Sequence, residues 1–357
     1  MCRINPVRAN TIVESLLPLS PMKMIYDIDL APYNSFGVSV RAARFAEVAS
    51  AEDAAELFAL PEVEKWMALG DGCNVLFTGD YDGTIVRIAD TSIVVESEDD
   101  ARAVVRVGGG VEWDDFVEWS VCRELWGVEN LSLIPGTVGA CPVQNIGAYG
   151  AEAADTIREV EIWDVEENRS RVLRAEECGF GYRESVFKHS LKGRALVLGV
   201  RFELSKVANP KLDYGDVRAR VEALGGATLR NIRTAVVEIR RSKLPDHKVV
   251  GNAGSFFKNP VLPRAQVEAL KAQYPTMPVY EVVGNPEVLK IATGWMIDTL
   301  GWKGKGMGNA GVHDKQALVL VNRGGATGPE VVALAEEICR QVKEKFGVEI
   351  SPEVNIL

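Results

Sequence analysis

Histidine is the scarcest chemistry-bearing residue here: His189, His247 and His313 are the only 3 in 357 residues, widely separated and in polar surroundings. The 6 cysteines, Cys2, Cys73, Cys122, Cys141, Cys178 and Cys339, form no CxxC pair and have no histidine at metal-ligand spacing. That excludes the zinc-ribbon and disulfide-scaffold classes. No metal site is expected, and scattered single cysteines fit a reducing compartment, the cytoplasm. No apolar run approaches the roughly 20 residues needed to span a bilayer. The opening stretch MCRINPVRANTIVESLLPLSP places Arg3 and Arg8 before a weakly apolar patch, but Glu14, Pro18 and Pro21 break it. It is too short and too interrupted for a signal peptide or an anchor, and it reads as a disordered extension. A basic stripe is missing too: 40 Lys and Arg are interspersed among 50 Asp and Glu, for a net charge of -10. Nucleic acid is therefore not an expected partner. There is no internal repeat and no low-complexity tract.

What remains is an ordinary globular composition, 47% apolar and 25% charged. The length leaves room for two or three domains of about 100 to 150 residues each. An acidic protein of this kind can still hold a phosphorylated ligand, through backbone amides and a few placed cations.

Local signals predict alternating elements. Ser50 followed by Asp53 resembles a helix start between two strands. AVVRV at 103–107 reads as a strand leading into a helix with Trp113, Phe116, Val117 and Val121 on one face, closed by Gly127. Strand alternation returns at Val160 and Ile162 and at ALVLGVRFEL, 195–204. Helices are predicted over 216–224, 230–242, 264–273 and 285–300, and a strand over 317–322. A long terminal helix has Pro329 near its start, Val331, Leu334, Ile338 and Val342 on its apolar face, and Gly347 just past its end.

Three glycine-rich segments differ in what they imply. GDGCN, 70–74, and the triplet Gly108–Gly110 fit a structural turn as well as a ligand loop. GDGCN does not fit the GxGxxG dinucleotide fingerprint, because the chain returns to a strand after it rather than opening a helix. The segment PGTVGACPVQNIGAYG, 135–150, is long, uncharged and rich in glycine, which points to a loop that shapes a site. Its amides can meet a pyrophosphate or a ring edge, and Gln144 and Asn145 add donors and acceptors.

Five segments in order, LGDGCNVLF, LIPGTVGACPVQNIGAYGAE, FGYRESVFK, RSKLPDHKVVGNAGSFFKNP and the terminal SPEVNIL, together resemble the UDP-N-acetylenolpyruvoylglucosamine reductase (UDP-N-acetylmuramate dehydrogenase) family. The likeness runs from about residue 32 to residue 357. It implies an α+β protein with a two-domain FAD-binding fold of the PCMH/vanillyl-alcohol-oxidase type, plus a third α/β domain for the UDP-sugar. The expected bounds are an extension at 1–24, FAD domain one at 25–90 completed by 347–357, FAD domain two at 91–242, and a substrate domain at 243–346.

The implied activity is reduction of UDP-N-acetylglucosamine enolpyruvate to UDP-N-acetylmuramate, with non-covalent FAD as cofactor, NADPH as reductant and no further partner for a monomeric enzyme. The resemblance puts the flavin against Gly70, Gly72, Cys73, Asn74, Val75, Pro135, Gly136, Thr137, Gly139, Ala140, Gln144, Asn145 and Gly147. Its three catalytic positions fall on Arg183, Ser255 and Glu353. Hydride addition to the methylene carbon leaves negative charge on the enolised carboxylate. The planar Arg183 cation suits that carboxylate, Glu353 helps hold the enol, and Ser255 protonates the neighbouring carbon. Substrate contacts carry over to Tyr149, Tyr182, Tyr214, Lys243 and Asn259. Tyr214-Gly215 resembles the mobile tyrosine loop of one subclass. Cys73 and Cys141 stand where Ser or Ala is common, and Asn355 where some members have Arg.

Overall fold

A computed structural model describes residues 22–282 and 284–357, so positions 1–21 of the expected extension lie outside the described residues. The chain divides into two compact units. Of the described residues, one holds 22–25, 45–68 and 84–237; the other holds 26–44, 69–83 and 238–357.

The first unit is built on a five-stranded antiparallel sheet in the order Arg169–Arg174, Ile157–Asp164, Ala195–Ser205, Arg102–Gly108, Ile93–Glu98. The three inner strands carry the Val, Ile and Leu residues that alternate into the core. The two outer strands are short, charged and largely exposed, which blunts the sheet edges and leaves little apolar periodicity to read. Helix Trp113–Cys122 buries Trp113, Phe116 and Val117 against this sheet, with Phe116 and Phe202 ring centroids 4.6 Å apart. The helix ends before the expected Gly127: Glu124 turns left-handed at φ 59°, and Trp126 then bridges to Ser205. A second cluster, Val48, Leu57, Val86, Trp163 and Leu198, receives the half-buried Met22 and Met24. Helix Ala51–Phe58 begins as predicted, with the Ser50 hydroxyl accepting from the Asp53 N–H and the Asp53 carboxylate from Ala49 N–H.

The second unit contains an antiparallel sheet in the order Asn252–Ser255, Val319–Asn322, Ala310–Val312, Gly306–Met307. Helix Gly328–Phe346 packs on it through Val331, Leu334, Ile338 and Val342. Thr327 and Glu330 form a capping box at its start, and Gly347 closes it at φ 67°. A three-stranded sheet, Val261–Pro263, Val288–Ile291, Val279–Glu281, overturns the helix expected over 285–300. Val288, Leu289 and Ile291 are claimed by two flanking strands, and the helix starts only at Thr293. The chain end returns as Asn355–Ile356, pairing parallel with Val75–Leu76.

Candidate active site

In the second unit, the turn 70–74 is held by its carbonyls. Ser35 N–H donates to the Gly72 carbonyl at 3.1 Å, while the Asn355 N–H and its side-chain amide both donate to the Asn74 carbonyl at 3.0 Å. Gly72 sits at φ 61°, and a Cβ there would lie 2.2 Å from the Tyr33 carbonyl oxygen. Only glycine allows this approach. Val75 leads directly into the short strand paired with the chain end. Cys73 is half-buried.

In the first unit, the segment 135–140 is strapped to the start of helix Trp113–Cys122. Trp113 N–H donates to the Gly136 carbonyl (2.9 Å), Val138 N–H to Val111 (2.9 Å) and Gly139 N–H to Gly109 (2.9 Å), and Thr137 bridges to Glu112. The residue that opens this loop, Leu133, has φ 59° and donates its N–H to Asp114 at 2.5 Å; Arg233 clamps the same carboxylate at 2.6 and 3.0 Å. The triplet Gly108–Gly110 proves to be structural: Cβ atoms there would meet Asp90 at 2.3 Å, Val197 at 2.8 Å and Ile88 at 2.4 Å respectively. Pro135 and Ala140 are exposed at the loop surface, and burial pushes the Cys141 thiol far above its ordinary value, so that thiol is inert.

At the turn 70–74 the Gly72 and Asn74 carbonyls are committed to the protein framework. In the segment 135–140 the N–H groups of Val138, Gly139 and Ala140 are spent on the framework as well, and a Cβ on Gly136 would meet nothing within 4 Å, which leaves the backbone open to an anion at Gly136.

Past this loop, Asn145 is 1% exposed and its carboxamide is fully engaged. It donates to Glu152 (2.8 Å) and to the Gly181 carbonyl (3.1 Å) and accepts from Ala154 N–H (2.9 Å). Gly181 and Glu184 exchange two backbone bonds of 3.1 Å, making a tight turn that throws out Tyr182 and Arg183. Arg183 takes left-handed φ 56°. Its guanidinium donates to the Gly147 carbonyl at 2.7 Å and to the Asn145 carbonyl at 3.4 Å, and lies 5.5 Å from the centre of the Tyr182 ring. A Cβ on Gly147 would come within 3.0 Å of that guanidinium. Ser185, 1% exposed, ties this turn back to Val143. Gln144 and Gly147 are half-buried on the same stretch. Tyr149, at φ 49°, meets the exposed Tyr214 edge to face, ring centroids 6.0 Å apart.

Ser255 ends the strand Asn252–Ser255, opposite Val319 and just after Gly254 at φ 69°. Phe256 and Phe257 then anchor the chain in the core, each at most 1% exposed. The terminal segment runs alongside: Glu353 N–H donates to the Phe256 carbonyl at 2.8 Å, and Pro352 bridges to Phe257. Ser255 and Glu353, 98 positions apart in sequence, are thus brought onto adjacent backbone. Asn259 accepts from Thr293 N–H at 3.0 Å, at the start of helix Thr293–Thr299, and Lys243 is the exposed last residue of helix Leu229–Lys243. Arg183 belongs to the first unit, Ser255 and Glu353 to the second. Sequence reasoning did not find Asp114, Asn130, Glu152 or Arg233, because each acts through hydrogen-bond partners that sequence distance conceals.

Residues 42–171 match the FAD binding domain family, and residues 245–357 match the UDP-N-acetylenolpyruvoylglucosamine reductase C-terminal domain. The UDP-N-acetylenolpyruvoylglucosamine reductase of Bacteroides fragilis is 50% identical over 331 residues, 92% of this chain and 98% of that protein. The enzyme of the same name from Chromobacterium violaceum is 48% identical, covering 93% and 98%. The crystal structure of UDP-N-acetylenolpyruvylglucosamine reductase from Thermus caldophilus superimposes with TM-score 0.66 over 94% of this chain and 98% of that one. At 23% identity it speaks for the α+β fold alone. With near-complete coverage at half identity, an FAD binding domain at residues 42–171 and the reductase's own C-terminal domain at 245–357, the chain belongs to the UDP-N-acetylenolpyruvoylglucosamine reductase family.

Proposed function

We infer that this chain is an FAD-dependent oxidoreductase that reduces UDP-N-acetylglucosamine enolpyruvate to UDP-N-acetylmuramate at the expense of NADPH, in peptidoglycan precursor synthesis. The observation that carries this reading into chemistry is the pairing of Ser255 with Glu353 on adjacent backbone, within the two segments that the family's C-terminal domain spans.

FAD, held by the turn Gly70–Val75, the loop Pro135–Ala140 and the stretch through Gln144, Asn145 and Gly147, supplies two-electron hydride chemistry when bound. The protein's own part is binding, charge stabilisation and proton delivery. Arg183 faces the substrate carboxylate: its guanidinium is already oriented by the Gly147 carbonyl, so little side-chain freedom is lost when a carboxylate arrives. As hydride adds to the methylene carbon, charge builds on that carboxylate, and a positioned cation is worth most there. Glu353 bonds the enol oxygen. Ser255 gives its hydroxyl proton to the carbon next to the carboxylate, completing the saturated lactyl ether. Tyr149, Tyr182 and Tyr214 offer ring faces and edges to the uracil and sugar, Lys243 offers charge to the diphosphate, and Asn259, whose carboxamide oxygen accepts from Thr293 N–H, offers its amide to the substrate.

This reading also divides the chain into flavin domains at 25–90 with 347–357 and at 91–242, and a substrate domain at 243–346. It further implies a monomer working in the cytoplasm without nucleic acid. Among the described residues no helix is long and apolar enough to cross a membrane. The test is an anaerobic half-reaction. The purified yellow protein, reduced by NADPH, should regain its flavin absorbance on addition of the enolpyruvyl substrate. Reoxidation by oxygen but not by that substrate would refute the assignment.

A further inference from the structure

Asn130 lies in the short turn Glu129–Leu131 and is 1% exposed. Its amide nitrogen donates to two carbonyl oxygens at 2.8 Å each, those of Tyr149 and Lys211. These are not arbitrary points. Tyr149 is in the left-handed region, so its peptide orientation decides where its ring goes. Lys211 begins the approach to Tyr214, three residues on, and Leu212 between them is buried. The two rings meet edge to face at an interplanar angle of 86°.

The other half of the carboxamide makes the case. The Asn130 side-chain oxygen is buried and has no hydrogen-bond partner. Turning the amide over would give that oxygen a new place but aim it at two carbonyl oxygens. The arrangement gives up an acceptor to keep both donors, which a residue present only to fill space would not do. The turn beneath is itself secured: Glu129, buried and with its carboxyl pushed up by that burial, accepts from Gly127 N–H at 2.7 Å, and Ser132 Oγ donates to the Glu129 carbonyl at 2.6 Å. Lys211 is held a second time, by Asp155 at 2.5 Å.

We propose that Asn130 is a positioning residue for substrate recognition: by holding Tyr149 and the base of the Tyr214 segment at one separation, it presets the two rings for the nucleotide moiety of the UDP-sugar. This rests on the reading of Tyr149 and Tyr214 as substrate contacts.

Asn130→Asp keeps the shape and removes both donors. In the holoenzyme it should raise KM for the enolpyruvyl substrate by about 10- to 100-fold while kcat stays within about threefold, the signature of lost ground-state positioning. FAD content and the rate of flavin reduction by NADPH should be those of the wild type. Asn130→Ser retains one hydroxyl donor and guards against a folding failure. In it, amide hydrogen exchange should quicken together in the peptides covering 147–151 and 207–216. Tyr149→Ala and Tyr214→Ala serve as references. If they raise KM and the Asn130 variants leave both KM and exchange unchanged, Asn130 is no pin. If the tyrosine variants bind substrate normally, the reading of the rings falls, and the role given to Asn130 falls with it.

Discussion

Ser255 belongs by its proposed role to one half of the catalytic cycle, which makes it separable from everything that merely keeps the protein folded. Flavin reduction by NADPH needs no proton on the substrate carbon. Ser255→Ala should bind FAD and reduce it at the wild-type rate, while reoxidation by the enolpyruvyl substrate slows by about 10²- to 10⁴-fold, the usual span for losing a positioned proton donor. Ser255→Cys should retain part of the rate. A normal reoxidation rate in the alanine variant, followed by stopped-flow absorbance, would mean that another acid does the work. Gly72 makes a second residue-scale case. The Cβ of Gly72→Ala would sit 2.2 Å from a backbone oxygen in a left-handed conformation, so the turn must move. The expected loss is about 1–3 kcal/mol, shared between stability and cofactor affinity. Fluorescence titration of the apoprotein with FAD, together with a thermal melt, measures both. At this scale Arg183, Ser255 and Glu353 are singled out in the sequence only by the family motifs in which they stand, and it is these half-reaction tests that decide their roles. Asn130 could not be read there at all: its two acceptors lie 19 and 81 positions away, and nothing local distinguishes it from any other buried asparagine.

At the scale of elements, legibility followed how local the deciding interaction is. Helix Gly328–Phe346 carries its own cap, its own stripe and its own stop, all within 21 residues, and it forms where those signals place it. The segment 285–300 has helical composition, but its first half is taken as the middle strand of a three-stranded sheet, a choice made by partners at 261–263 and 279–281. The edge strands Ile93–Glu98 and Arg169–Arg174 were silent for the related reason that edges carry charge where inner strands carry valine. One of them belongs to a hairpin with a measurable electrostatic clasp. Asp164 is fully buried and accepts from Arg194 at 2.8 and 2.9 Å, from Glu167 N–H at 3.2 Å and from Arg171 at 2.5 Å. The Arg194 guanidinium above all, with that N–H and Arg171, holds its carboxyl well below the usual carboxylate range. A depressed folded pKa contributes stability above the unfolded value, about 3.9, and loses it as pH falls toward the folded one. Asp164→Asn should therefore melt lower by an amount nearly constant from about pH 8 to pH 5, of order 3 kcal/mol for breaking a buried ion cluster. The gap should narrow below about pH 4. A gap that stayed constant to pH 2.5 would show that Asp164 acts by shape alone.

For the whole molecule, the arrangement with the greatest reach is the return of the chain end to the turn at 70–76. Asn355 bonds the Asn74 carbonyl twice, Leu357 N–H donates to the Leu76 carbonyl at 2.9 Å, and Thr78 N–H donates to the Leu357 carbonyl at 2.7 Å. These contacts join positions some 280 residues apart, so they form only once the second unit has assembled, and they contribute little apolar burial because residues 355–357 are themselves exposed. Their effect is thus expected in the geometry of the turn more than in overall stability. Ending the chain after Val354 leaves Glu353 and its bond to the Phe256 carbonyl in place, but removes the bonds that the Asn74 and Leu76 carbonyls accept from Asn355 and Leu357. The truncated protein should keep its far-ultraviolet circular dichroism and melt within a few degrees of the intact apoprotein, since losing a few exposed hydrogen bonds costs about 1–3 kcal/mol. FAD affinity should fall by at least about tenfold, because a turn still held at the Gly72 carbonyl by Ser35 but released at Asn74 must be ordered further at the moment of binding. Asn355→Ala, which removes only the side-chain bond, should give an intermediate loss. Isothermal titration of the two apoproteins with FAD decides it: full affinity in the truncated chain would mean that the turn at 70–74 holds its shape unaided, or that the diphosphate is held elsewhere.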